Sequence, residues 1–109
     1  MRNIVVSWSE LPEILPDGTR IAVLPVPPEE LGAGEIVYVL YEGGSGVARF
    51  LRRDKVSKRV TLMFHEKRVL EMEVEFIFRI TRATFQGQSI ELRVSPWEAM
   101  MYKILRTTT

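Results

Sequence analysis

The feature that most constrains this chain is the length and period of its apolar runs. They are short, they alternate in steps of two, and glycine, proline or a charged turn closes almost every one. Arg20-Ile21-Ala22-Val23-Leu24 lies between Asp17-Gly18 and Pro25, as a short buried strand would. The stretch from Pro25 to Gly34 holds Pro25, Pro27, Pro28, Gly32 and Gly34, so it cannot continue a ladder and must connect. Ile36-Val37-Tyr38-Val39-Leu40-Tyr41 is apolar on both alternating faces, the pattern of a strand covered on both sides. Gly43-Gly44-Ser45-Gly46 predicts a hairpin turn into Val47-Ala48-Arg49-Phe50-Leu51-Arg52-Arg53. Because the glycines lead into a strand and lack a following Lys-Ser/Thr, a phosphate-binding loop is not expected there.

A polar turn over Asp54–Lys58 then predicts a second hairpin into Arg59–Phe64. Met72, Val74, Phe76, Phe78 and Ile80 alternate with Glu71, Glu73, Glu75, Ile77 and Arg79, which reads as one long strand with a wet face. Past Arg82 the parity moves to Ala83 and Phe85, a sign of a bulge or a strand end. Gln86-Gly87-Gln88 turns the chain into Ile90, Leu92 and Val94. Ser95-Pro96-Trp97-Glu98 carries the grammar of a helix start, and Trp97, Met100, Met101, Ile104 and Leu105 form the stripe of one short amphipathic helix, about 96–106. A helix that short needs its stripe covered. Core packing within the chain is the plain expectation; a dimer contact through Trp97, Met101 and Leu105 is the sharper one. The expected class is therefore mainly β, an antiparallel sheet domain over residues 1–109 with one C-terminal helix.

Composition narrows the chemistry. A chain of 109 residues with 46% hydrophobic and 27% charged residues can bury one core and fold alone. The absence of cysteine excludes disulfides and thiol nucleophiles, and a single His65 cannot assemble a zinc site, so neither metal nor cofactor is expected. No apolar run approaches the roughly 20 residues of a membrane helix, and the N-terminal run is too short for a secretory signal. A soluble, cytoplasmic protein is expected.

Charge is uneven. Arg49 to Arg68 holds eight basic residues against Asp54 and Glu66, a local balance of +6 in a chain whose total is +1. Arg52, Arg53, Lys55, Lys58 and Arg59 are thus candidate contacts to an anion or nucleic acid, although interleaved exposed aromatics are missing. Pairing with Glu71, Glu73 and Glu75 on a neighbouring strand would serve those charges equally well.

Three segments in order, Asp17-Gly18-Thr19-Arg20-Ile21-Ala22-Val23, Leu31-Gly32-Ala33-Gly34-Glu35-Ile36-Val37-Tyr38-Val39 and Val47-Ala48-Arg49-Phe50-Leu51-Arg52-Arg53-Asp54, resemble the C-terminal domain of LexA-type and lambdoid phage repressors, self-cleaving serine peptidases related to signal peptidases. The resemblance spans about Ser9 to Phe64 and rests on the order and spacing of the segments. It implies a mostly β fold, dimerisation, a setting in transcription regulation and, in active members, a Ser–Lys dyad whose buried lysine deprotonates the serine. Ser9 falls at the nucleophile position, followed by Glu10 where the family has Met, and Arg49 falls at the lysine position. Arginine stays protonated at physiological pH and cannot take the serine proton. With no Ala-Gly sequence upstream of Ser9 and no helix-turn-helix before it, self-cleavage is not expected. The implied protein is a catalytically degenerate domain acting by association with itself or a protein partner. A residual peptidase using Ser9 and a nucleic-acid module on the basic hairpins are the alternatives.

Overall fold

The computed structural model describes residues 2–6, 14–57, 59–64, 68–92 and residues 100, 101 and 104. Among them are eight strands: β1 Arg2–Val5, β2 Arg20–Pro25, β3 Ile36–Tyr41, β4 Gly44–Arg53, β5 Arg59–Met63, β6 Val69–Glu73, β7 Phe76–Phe85 and β8 Gln88–Ser89, with a 3-10 turn at Pro28–Glu30. They form one sheet in the order β1-β2-β7-β3-β4-β5-β6, with β8 paired to β7. Each pairing is antiparallel. The mainly β, antiparallel class expected from the alternation is what forms.

The run from Met72 to Ile80 is not one strand. It breaks at Val74-Glu75, leaving β6 at a sheet edge beside β5 while β7 runs between β2 and β3. Three Cα steps, from Glu73 to Phe76, reach at most about 11 Å. Four strand spacings separate β6 from β7 in a flat sheet, about 19 Å. Strands β7-β3-β4-β5-β6 must therefore curl into a half-barrel. Its inside is a cluster of Val37, Val39, Ala48, Phe50, Val60, Leu62, Phe64 and Ile77, with Met72 and Val74 packed against it. The inward parity passes from even residues (Met72, Val74) to odd (Ile77) across the break, so Ile77 is buried and Phe76 is 59% exposed, the reverse of the long-strand reading.

The opposite face carries a second cluster, Val6, Leu15, Ile21, Val23, Ile36, Val47, Ile80 and Ala83, with Ile90 and Leu92 against it. Its cover begins at Val6, where Val6 and Thr19 close the β1–β2 connection through a 2.8 Å amide hydrogen bond. Buried Thr19 donates its hydroxyl to the Pro16 carbonyl at 2.5 Å, and Gly18 takes φ +92° at the turn that Asp17-Gly18 foretold.

Two bulges set the faces. Ala22 pairs with Arg82 and Val23 with Ile80, so Thr81 is the extra residue, one position before the parity change visible in the sequence. Phe50 pairs with Leu62 and Arg52 with Thr61, which leaves Leu51 as the extra residue and turns Arg53, opposite Val60, toward the barrel side. The β3–β4 turn is shorter than the glycine run suggested. Tyr41 pairs with Gly44, so Glu42-Gly43 alone make it, and Gly44, Ser45 and Gly46 are already strand. The last hairpin turns at Gln86 and Gly87, both at positive φ (51° and 79°), the signature of a type I′ turn. β8 stops at Ser89, so Ile90 and Leu92 pack on the core beyond the strand rather than within the longer strand expected, and Val94 lies outside the described residues.

Most of the expected helix 96–106, with Trp97 and Leu105, lies outside the described residues. Met100, Met101 and Ile104 have helical backbone.

Candidate functional site

Arg49 stands on β4 with Ile36 and Met63 as its cross-strand neighbours, on the face that carries the second cluster. It is 9% exposed, and its Nη1 donates to the Gly34 carbonyl at 2.8 Å. Gly34 itself donates its amide to the Phe50 carbonyl at 2.7 Å and holds φ +88°. The guanidinium thus fastens the Gly32–Glu35 loop to β4, and its chemistry here is that of a hydrogen-bond donor. Ser9, assigned as its partner, lies outside the described residues.

The basic candidates divide. Arg59 lies 3.9 Å from Glu71 across the β5–β6 ladder, with both side chains about half exposed, so the pair adds little stability. Arg52 donates from Nε to the Thr61 hydroxyl at 3.3 Å. Lys55 is exposed on the β4–β5 turn, and Lys58 lies outside the described residues. That turn is organised by Asp54, whose Oδ1 accepts the amides of Val56 at 2.8 Å and Ser57 at 3.4 Å. Those amide bonds, Val56 first, then the Ser57 hydroxyl and amide, and then Arg52, hold the Asp54 carboxyl below its ordinary value. The folded turn binds this proton less tightly than the unfolded chain. Its contribution is therefore present above the unfolded aspartate value, about 3.9, and is lost as pH falls through the lowered one. A carbon-detected NMR titration is expected to give Asp54 a midpoint below the ordinary aspartate value, with the Val56 amide shifting on the same curve.

Sequence reasoning missed one site, the mouth of the half-barrel. The segment Pro25–Leu31 crosses it as a strap. Arg79 fastens that strap, donating from Nε to Glu35 Oε1 at 2.5 Å and from Nη2 to the Glu30 carbonyl at 2.8 Å, while the Gly32 amide donates to Glu35 Oε2 at 3.0 Å. An opening of about 580 Å³ lies on one side, with Val26, Val60, Val74, Phe76 and Ile77 in its wall. Another of about 550 Å³ lies on the other, walled by Leu31, Phe50, Arg52 and Lys55. Pro28, Glu29 and Arg53 border both. The available signal was the proline-rich connection beside a strand whose parity reverses at Glu75; neither is legible as a pocket without the curl.

A third feature is the C-terminal stripe. Met100, Met101 and Ile104 are 56%, 42% and 54% exposed, so at these positions the core-packing expectation fails. Among the described residues, no helix is long and apolar enough to cross a membrane.

The chain is a mainly β, antiparallel protein; no family model, curated protein or solved structure matches it.

Proposed function

We propose that this chain is a catalytically silent β domain of the LexA-type repressor kind that works by association, with a second copy of itself or with a protein partner, in transcription regulation. The observation that carries the reading is the exposure of Met100, Met101 and Ile104 on helical backbone. A short amphipathic helix gains its stability from whatever covers its apolar side, and unbranched methionines adapt readily to a partner surface. The silence of the site is supported by Arg49. Its guanidinium cannot act as a base, and it is committed to the Gly34 carbonyl.

Light scattering coupled to size exclusion, over a range of concentrations and in low and high salt, tests this. A dimer that resists salt is expected, shifting to monomer when Met101→Lys places a charge in the stripe. A monomer at every concentration, with Met101→Lys indistinguishable from the parent, would overturn self-association.

A further inference from the structure

We propose that the mouth of the half-barrel is a docking site for an extended acidic peptide segment of a partner protein, carrying one large apolar side chain. The apolar opening beside Phe76 takes that side chain, and the basic opening beside Arg52 and Lys55 takes the carboxylates. Three observations lead there.

The first is that the site is built and open. Phe76 is 59% exposed at the start of β7, and Val60 and Ile77, which line the same opening, are buried. The strap that divides the openings is held by Arg79 through both the Glu30 carbonyl and the Glu35 carboxylate. A ligand therefore meets preformed walls and loses less ordering entropy on binding.

The second is charge. The bulge at Leu51 brings Arg53, opposite Val60, to the barrel side. Arg53 and Glu29 border both openings and offset each other in charge, with Arg52 and Lys55 beyond them on one side and Glu75 on the other. Carboxylates are thus drawn to the Arg52 side and repelled from the Glu75 side, which fixes the direction of the segment as well as its composition.

The third separates a peptide from a nucleic acid. Bases need exposed aromatic platforms among the cations. The aromatic residue in the basic opening is Phe50, 3% exposed, whose ring is committed to the barrel core. Phe76 lines the other opening, beside Glu75.

The test is amide-shift NMR on the full chain. The probe is a short acetylated and amidated peptide with a single Phe followed by Asp and Glu residues. Controls are the same peptide with Asn and Gln in place of the acids, and a thymidine oligonucleotide. The acidic peptide is expected to move the amides of Arg53, Phe76 and Ile77 saturably, and the amide control to bind about tenfold or more weakly, as loss of charge-assisted contacts requires. Phe76→Ser and Lys55→Glu change exposed side chains and leave the fold intact, and each is expected to weaken binding by a similar factor. Absence of saturable shifts overturns the proposal, as does binding that ignores both variants. So does an oligonucleotide that moves the same amides with a steep salt dependence. Light scattering on the same samples reads self-association through the C-terminal stripe separately, so the two readings fail independently.

Discussion

Leu62→Ala is expected to cost about 3 kcal/mol of folding stability, while Leu70→Ala, directly opposite it on β6, costs well under 1 kcal/mol. The two leucines are cross-strand partners and so share a face of the sheet. On a flat sheet, neighbours on one face would be similarly covered. Here Leu62 is fully buried and Leu70 is 41% exposed, because the curl closes over β5 and leaves β6 at the rim. Removing the Leu62 side chain leaves a cavity bounded by Phe50, Val60 and Ile77, whose backbones are tied into three strands and cannot collapse into it. For a domain this size the loss lowers the melting temperature on the order of 15 °C. Urea unfolding should show it as a shift in midpoint at unchanged slope. Equal, small costs for the two variants would mean that the five strands do not close on a common core.

How far the fold could be read in advance depended on whether a feature was local. Alternation and turn residues are local, and they located β2, β3, the β4–β5 hairpin and the type I′ turn before β8. The break at Val74-Glu75 is not local. Met72, Val74, Phe76, Phe78 and Ile80 keep a perfect period of two through it, and only the buried Ile77 in the supposedly wet register betrays the change of face. Phe76 follows its period and is exposed nonetheless, because what should cover it depends on where β6 and β7 go in space. The Arg59–Glu71 pairing was legible for the opposite reason: two oppositely charged strands that turn out adjacent will pair wherever their register allows. The barrel mouth combines residues from three distant parts of the chain, Pro28, Arg53 and Phe76, and becomes a site only once the curl is known.

Arg49 is where the resemblance and the geometry meet, and its variants separate two roles that one substitution would confuse. Arg49→Ala is expected to cost about 3 kcal/mol, from a vacated buried position together with a Gly34 carbonyl left without its side-chain donor. Arg49→Met keeps most of the aliphatic stem and gives up the guanidinium, so about 1 to 2 kcal/mol is expected, which separates the polar contacts of the guanidinium from the packing of the stem. Arg49→Lys places at this position the residue type that active repressor domains carry. Its ammonium is a point charge without the planar fork, so it holds the Gly34 carbonyl less well and should fall between the parent and Arg49→Met. The same variant examines silence directly. A lysine kept neutral by burial can accept a serine proton, whereas arginine cannot. If the proposed silence rested on this one position, Arg49→Lys would become labelled by a fluorophosphonate at alkaline pH, and Ser9→Ala would abolish the labelling. The expected result is no labelling in either background, because the side chain at position 49 is used to tie the Gly34 loop to β4.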